Sequence, residues 1–155
     1  MTTIWNIPRI EQRALNTIRE PRPTALLTGR KSWAQVSSLV ELPLVVQAEP
    51  QNAERAYMDE LAGGLPPQVE VIYGVGGGLV ADVAKYIGGK RGIPVVLVPT
   101  ALSVDGFFTP IVAVRENDTV GYADSGPAEN IIIDWDVVSA APPDIRGTGI
   151  VEILS

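Results

Sequence analysis

Short apolar runs alternate with amphipathic stretches along most of this chain, and the alternation predicts strands separated by helices. The amphipathic pattern is clearest from Leu79 to Ile87, where apolar residues recur at helical spacing. Strands and helices that alternate in this way predict a parallel sheet with right-handed crossovers, and therefore an α/β fold. The predicted strands are Thr24 to Thr28, Leu44 to Ala48, Val69 to Tyr73, Val95 to Val98 and Ile131 to Ile133, of which the first and fourth are typical of buried strands.

Local signals predict where several other elements begin and end. Ile4 to Ile7 is predicted as an edge strand that stops at a proline, and Ile10 to Ile18 as a helix. Ser32 is predicted to cap the next helix, because serine side chains accept hydrogen bonds from free helix amides. The amphipathic helix that starts near Leu79 is predicted to stop at the glycine pair 88–89.

The pattern changes after Pro110. Ile111 to Val114 and Val120 to Ala123 flank a polar turn, and this arrangement predicts a small β-hairpin. The tail from residue 142 to residue 155 predicts a helix with proline near its first turn.

A glycine-rich segment joins the strand at Val69 to Tyr73 to the amphipathic helix. Gly76, Gly77 and Gly78 lie at this junction, where backbone without Cβ atoms can approach a ligand closely. Amides at the start of a helix, backed by the helix dipole, bind phosphate. Leu79 stands where the usual G-x-G-x-x-G pattern continues, so a glycine turn that only packs helix on sheet is the alternative. We favour the phosphate cradle, because a strand precedes it and a helix follows it.

Ligands of parallel sheets bind at the carboxyl ends of the strands. Three such ends carry polar or glycine-rich loops, at residues 28–32, 74–78 and 99–110. The loop after Thr28 contains Gly29, Arg30, Lys31 and Ser32, which predict a site for the 2′-phosphate of NADP(H). A solvated basic turn is the alternative interpretation, which leaves NAD open as the cofactor.

The composition narrows the classes of partner. The chain has 155 residues and a net charge of −6, which argues against a nucleic-acid partner. No apolar run is long enough for a membrane span, and no secretory signal is evident, so we expect a cytoplasmic protein without a membrane partner. The sequence contains no histidine and no cysteine, so neither an imidazole base nor a thiolate comes from it.

Two further segments, together with the glycine-rich segment, carry a resemblance to a known family. Residues 99–110, P-T-A-L-S-V-D-G-F-F-T-P, resemble the P-T-A-A-S-H-D-G-x-x-S-P motif of sn-glycerol-1-phosphate dehydrogenases. Residues 146–155, R-G-T-G-I-V-E-I-L-S, resemble the R-x-G-[IF]-G-D-[LI]-[LI]-[SA] helix that follows in that family. The family shares a superfamily with iron-containing alcohol dehydrogenases, glycerol dehydrogenase and 3-dehydroquinate synthase. Three motifs in the right order make the resemblance specific.

The resemblance implies a Rossmann-like fold, a parallel sheet with flanking helices and a small hairpin like the N-terminal domain of 3-dehydroquinate synthase. Residues 1–141 would form this nucleotide-binding domain. Residues 142–155 would begin the helix that leads to an all-helical, metal-binding domain, which holds the family's two metal-ligating histidines. NAD or NADP is the implied cofactor, and Zn²⁺ is the implied metal of the full-length protein.

The resemblance also assigns roles to individual residues. Asp105 matches the substrate-contacting aspartate, although an Asp-Gly turn explains the same two residues. Glu152 falls at the metal-ligating aspartate of the family, and a surface glutamate is its alternative interpretation. Val104 replaces the histidine before the substrate-contacting aspartate. The implied cofactor-binding residues are Thr28, Arg30, Lys31, Gly76, Gly77, Gly78, Asp82, Thr100, Ala101, Leu102, Ser103 and Thr109.

The implied activity is hydride transfer between the nicotinamide cofactor and a small polyol or its phosphate. Glutamate at position 152 is what 3-dehydroquinate synthases use, so a lyase of that kind stays open, as does a nucleotide-binding module without catalysis. This chain alone is expected to bind nucleotide without efficient turnover. Phe107, Phe108, Ile153 and Leu154 are expected to form an exposed apolar patch, through which the chain would self-associate as a homo-oligomer.

Overall fold

The computed structural model describes residue 4 and residues 6–146, and these residues form a six-stranded parallel sheet covered by helices on both faces. The order of strands across the sheet is β1-β8-β5-β4-β2-β3. The strands of this sheet are β1 (Arg9–Gln12), β2 (Thr24–Thr28), β3 (Leu44–Ala48), β4 (Val71–Gly76), β5 (Val95–Pro99) and β8 (Asn130–Ile133). The predicted α/β class is confirmed.

The helices and a separate antiparallel hairpin complete the domain. The hairpin consists of β6 (Ile111–Glu116) and β7 (Thr119–Asp124). The helices are α1 (Arg30–Val36), α2 (Arg55–Gly63), α3 (Gly78–Arg91), α4 (Trp135–Ser139) and α5 (Pro143–Arg146), with short 3₁₀ turns at Leu15–Thr17 and Asp105–Phe107.

The strand order reverses direction at β2. The chain first moves from β2 outward to β3, and then returns past β2 to β4 and β5. Right-handed crossovers in opposite directions place α1 on one face of the sheet and α2 and α3 on the other. The core confirms this arrangement, because Val36 of α1 packs in one buried cluster and Met58 of α2 and Val83 of α3 pack in another. The loops after β2 and β4 therefore diverge and leave a crevice between them.

The central strands are buried on both sides, as their continuous apolar runs predict. In β4, Ile72 faces the cluster under α2 and α3, whereas Val71 and Tyr73 face the cluster under α1. The hairpin is also confirmed. Its turn is formed by Asn117 and Asp118, whose φ angles of 51° and 60° suit a two-residue hairpin turn.

The structure does not form the predicted early edge strand in its described residues, and it does not form the predicted helix at Ile10 to Ile18. No strand forms at residue 4 or at residues 6–8, and the predicted helix is replaced by β1 and a 3₁₀ turn. The cause is tertiary pairing, because β1 adds to the sheet in parallel register beside β8. Leu15 and Ile18 are buried, and the amide of Leu15 donates a hydrogen bond to Asp134 at 2.9 Å. Their spacing of three residues suits this turn as well as a helix.

Two predicted helix boundaries also differ from the structure. Gly29 rather than Ser32 caps α1, and Ser32 lies inside the helix. Helix α3 continues through Gly88 and Gly89 to Arg91, and it ends at Gly92, whose φ of 66° is left-handed. A Cβ on Gly88 would overlap the side chain of Val95 and approach the carbonyl oxygen of Ile93 at 2.8 Å. Gly88 therefore lets the helix pack closely against the start of β5.

We expect Gly88→Ala to destabilise the fold by about 1–3 kcal/mol, because overpacking outweighs the better helix propensity of alanine. Gly63→Ala is the matched control, since a Cβ there meets no atom within 4 Å. The control should be neutral or stabilising by up to about 1 kcal/mol. Urea denaturation of both variants checks this, and equal effects of the two substitutions would contradict the close packing at Gly88.

Candidate functional site

The glycine-rich junction forms an open backbone cradle at the reversal point of the sheet. Strand β4 ends at Gly76, whose φ of 153° favours glycine, and α3 begins at Gly78. A Cβ added to Gly77 would meet no protein atom within 4 Å, so the space in front of this residue is free. No side chain caps the start of α3, and the amides of its first turn lack partners within the helix. This arrangement suits an anionic group.

Three residues that the sequence analysis assigned to cofactor binding, Thr28, Gly76 and Thr100, come together around the cradle. The amide of Thr100 donates to the carbonyl oxygen of Gly76 at 3.1 Å, and the Thr28 hydroxyl donates to Val75 at 2.7 Å. The Thr100 hydroxyl lies 3.3 Å from the hydroxyl of Ser32. Ser32 thus lines the crevice, and its hydroxyl would lie 3.5 Å from a Cβ on Gly76. These hydroxyl groups place polar atoms beside the free space.

The loop after β5 closes one side of the cradle. Ala101 is buried, and Leu102 and Ser103 are half-buried. A Cβ on Gly78 would lie 2.9 Å from a methyl group of Val104, so Val104 packs directly on the first residue of α3. The position at which the family resemblance places histidine is therefore an apolar contact in this chain.

Asp82 faces the loop after β5 and the hairpin. Its carboxylate accepts a hydrogen bond from the amide of Ala113 at 3.4 Å, and a Cβ on Gly106 would lie 3.5 Å from the other oxygen. Burial raises the pKa of Asp82, and the charge of Asp105 adds to the rise, while the charge of Lys85 opposes it. Asp82 thus lies one helical turn beyond the cradle.

Lys85 is the main residue of this region that the sequence analysis missed. Only 1% of its surface is exposed, and its ammonium donates to the carbonyl oxygens of Gly106, Thr109 and Ile111, the last two at 3.0 and 2.8 Å. Burial lowers its pKa, and the nearby charges of Asp82 and Asp105 oppose the shift. Lys85 therefore fastens the loop at residues 106–111 to α3. The local sequence gives no signal for this role, because a lysine three positions after Asp82 also suits an exposed helix face.

The loop after β5 also contains Asp105, Phe107 and Phe108. Asp105 is exposed at the start of a 3₁₀ turn, whereas Thr109 is half-buried and turns its carbonyl oxygen towards α3. Phe107 is 1% exposed, so its predicted place in a surface patch is wrong, because its ring completes the core. Phe108 is 38% exposed. Glu152, Ile153 and Leu154 lie outside the described residues.

The basic loop after β2 lines an open cavity of about 590 Å³ beside the cradle. Arg30 and Lys31 lie at its edge with Ser32, at the carboxyl ends of β2 and β3. Glu49, which follows β3, also lines the cavity and was missed by the sequence analysis. Its carboxylate accepts a hydrogen bond from the amide of Arg30 at 3.2 Å. The cavity therefore contains a fixed acid as well as exposed cations.

Two features are absent from the described part of the chain. Within it, no three histidine, cysteine, aspartate or glutamate side chains come together as potential ligands of a metal ion. Within the same residues, no helix has the length and apolar character needed to span a membrane.

A parallel sheet with a glycine-rich strand-to-helix turn at its reversal point defines the class of nucleotide-binding α/β domains. Within this class, the chain belongs to the iron-containing alcohol dehydrogenase family, whose sequence profile matches residues 17–142. The family resemblance found in the sequence is thus confirmed.

Curated relatives carry the name glycerol-1-phosphate dehydrogenase [NAD(P)+]. The protein of that name from Thermofilum pendens is 34% identical over 142 residues, which cover 84% of this chain and 40% of the relative. The one from Methanothermobacter thermautotrophicus is 32% identical over 111 residues, which cover 72% of this chain and 32% of the relative. The chain therefore spans only about a third to two fifths of the length of these relatives.

Solved structures show the same fold. Glycerol dehydrogenase from Schizosaccharomyces pombe superposes with a TM-score of 0.81 at 25% identity, covering 99% of this chain and 44% of that one. Sulfoacetaldehyde reductase from Bifidobacterium kashiwanohense, solved in complex with NAD⁺, superposes with a TM-score of 0.79 at 14% identity. The match covers 99% of this chain and 52% of that one. The second likeness concerns the fold alone.

Proposed function

We propose that this chain is the NAD(P)-binding domain of a metal-dependent dehydrogenase that acts on a small polyol or its phosphate. The observation that carries the proposal is the free space in front of Gly77, at the start of a 14-residue helix. A pyrophosphate fits such a place, because free amides and the positive end of the helix dipole face the same space. The family membership and the names of the relatives support the dinucleotide.

The residues around the cradle have distinct tasks in this proposal. The amides at the start of α3 bind the pyrophosphate, and the hydroxyl groups of Thr28, Ser32 and Thr100 line the crevice beside it. Residues 101–103 and Thr109 lie along the rest of the dinucleotide. The bound nicotinamide supplies hydride chemistry, and the protein supplies binding and orientation.

The substrate side of the proposal rests on the loop after β5. Asp105 is the acceptor for a substrate hydroxyl, and Lys85 positions it by holding the following residues against α3. Glycerol-1-phosphate dehydrogenases among the relatives support a small polyol phosphate as the substrate class. The family description names iron, whereas Zn²⁺ and its ligand Glu152 stay predictions, as do the homo-oligomer and the cytoplasmic location.

Calorimetric titration of the chain with NADH and with NADPH tests the proposal. We expect saturable binding with one dinucleotide per chain. The dissociation constant should lie between about 1 μM and 1 mM, which is the usual range of Michaelis constants of enzymes. The same titration with nicotinamide mononucleotide, which lacks the pyrophosphate bridge, should give much weaker binding. The absence of heat from both dinucleotides at millimolar concentration would contradict the proposal.

A further inference from the structure

The cavity lined by Arg30, Lys31, Ser32 and Glu49 lies on one side of the cradle, at the ends of β2 and β3. The loop after β5, with Asp105, lies on the other side, because β4 separates β5 from β2 in the sheet. A dinucleotide whose pyrophosphate lies in the cradle extends to both sides. If its nicotinamide faces the substrate side, its adenosine half faces this cavity. The inference below therefore rests on the proposed nucleotide binding.

Glu49 holds a fixed position in this cavity. Its carbonyl oxygen accepts hydrogen bonds from the side chain of Gln51 at 2.9 Å and from the hydroxyl group of Tyr57 at 3.4 Å. Its carboxylate accepts from the amide of Arg30 at 3.2 Å. Backbone and side chain are thus both hydrogen-bonded, and the carboxylate, whose side chain is 45% exposed, lies beside the start of α1.

Arg30 is held much more loosely. Its guanidinium lies 3.9 Å from the carboxylate of Glu49, and 90% of the side chain is exposed. An exposed pair of this kind contributes little energy, and a long side chain in water moves freely between partners. The arginine can therefore turn to another anion, whereas Glu49 keeps its place at the amide.

We propose that Glu49 is a specificity-determining residue that lowers the affinity of this cavity for a 2′-phosphate. A ribose with a free 2′-hydroxyl can donate to a carboxylate, as in many NAD-binding sites. The same carboxylate repels a 2′-phosphate, because both groups are negatively charged. The Arg30 amide cannot donate to the phosphate, because it already donates to Glu49. Arg30 acts in the opposite direction, because its freed guanidinium pairs with phosphate. The two residues together set the ratio of affinities for NADPH and NADH.

The test is the ratio of dissociation constants for NADPH and NADH, measured by calorimetry at low salt. Glu49→Gln should lower this ratio about tenfold, the size expected for removing one charge near an anion at intermediate dielectric. Arg30→Gln should raise the ratio. The effect of Glu49→Gln should shrink at 0.5 M salt, because screening weakens repulsion between charges.

Glu41→Gln is the matched control. Glu41 is exposed and precedes β3 at its amino end, whereas Glu49 follows the same strand at its carboxyl end. This variant changes the net charge equally and should leave the ratio unchanged. Glu49→Asp keeps the charge and should retain most of the discrimination, which separates the role of the charge from a structural role of the side chain.

The outcomes distinguish the two proposals. If Glu49→Gln binds both cofactors with the wild-type ratio, the role of Glu49 is overturned and the nucleotide site stands. If Glu49→Gln and Glu41→Gln shift the ratio equally, overall charge explains the effect and the inference is also overturned. If the wild-type chain binds neither cofactor, the proposed function fails, and the inference fails with it.

Discussion

Gly77→Val is expected to reduce the affinity for NADH and NADPH by at least about 100-fold without unfolding the chain. The backbone at Gly77 has φ −95° and ψ −162°, which any residue adopts, and its Cβ would meet no protein atom within 4 Å. A Cβ at this position therefore lies in the space assigned to the pyrophosphate and contacts no protein atom. Loss of two charge-assisted hydrogen bonds accounts for an effect of this size.

Gly121→Val is the matched control for this substitution. Gly121 lies in β7 of the hairpin, and a Cβ there also has no atom within 4 Å. We expect this variant to bind both cofactors as the wild type does, and neither valine variant to melt at a lower temperature than the wild type. Wild-type affinity in Gly77→Val would show that nucleotides do not bind in the cradle.

Lys85→Met is expected to lower the free energy of unfolding by roughly 3 kcal/mol at neutral pH. The substitution keeps an unbranched side chain in the core but removes the ammonium donor from the carbonyl oxygens of residues 106, 109 and 111, of which the last also accepts from the Thr109 hydroxyl at 3.3 Å. These carbonyls fix the loop that carries Asp105, so hydrogen exchange in residues 105–112 should also become faster. Urea denaturation and amide exchange measure the two effects.

Lys90→Met provides the control on the same helix. Lys90 pairs with Asp59 near the surface, and its side chain is 46% exposed. Solvent screens an ion pair this exposed, so we expect a small effect on stability and unchanged exchange in the loop. Equal losses of stability in the two variants would refute the special role of Lys85.

The central strands and the cradle could be predicted from sequence because their signals are local. Thr24–Thr28 and Leu44–Ala48 have the predicted bounds. The first is a continuous apolar run that suits a strand covered on both faces, whereas the second forms the partly exposed edge strand β3. The glycine-rich junction also carries its own signal. Residues without Cβ atoms mark the place where the backbone must be free for a ligand or for close packing.

The remaining features depend on partners that lie far away in the chain. Strand β1 exists because β8 offers it a parallel edge, about 120 positions later. Lys85 looks like a surface lysine until the loop after β5 is folded onto α3. The role of Glu49 depends on the pairing of β2 with β3, which brings its carboxylate to the Arg30 amide. Such tertiary contacts have no trace in the local pattern.

The most direct test of the account is an NMR titration of the 16.5 kDa chain with NADH, followed in an amide correlation spectrum. We predict saturable shifts concentrated at residues 76–80, 100–103 and 28–32, which surround the crevice at the carboxyl ends of the strands. Residues 37–43, at the amino end of β3, should remain unchanged. Shifts confined to residues 37–43, or no saturable shifts at all, would contradict a dinucleotide site in the cradle.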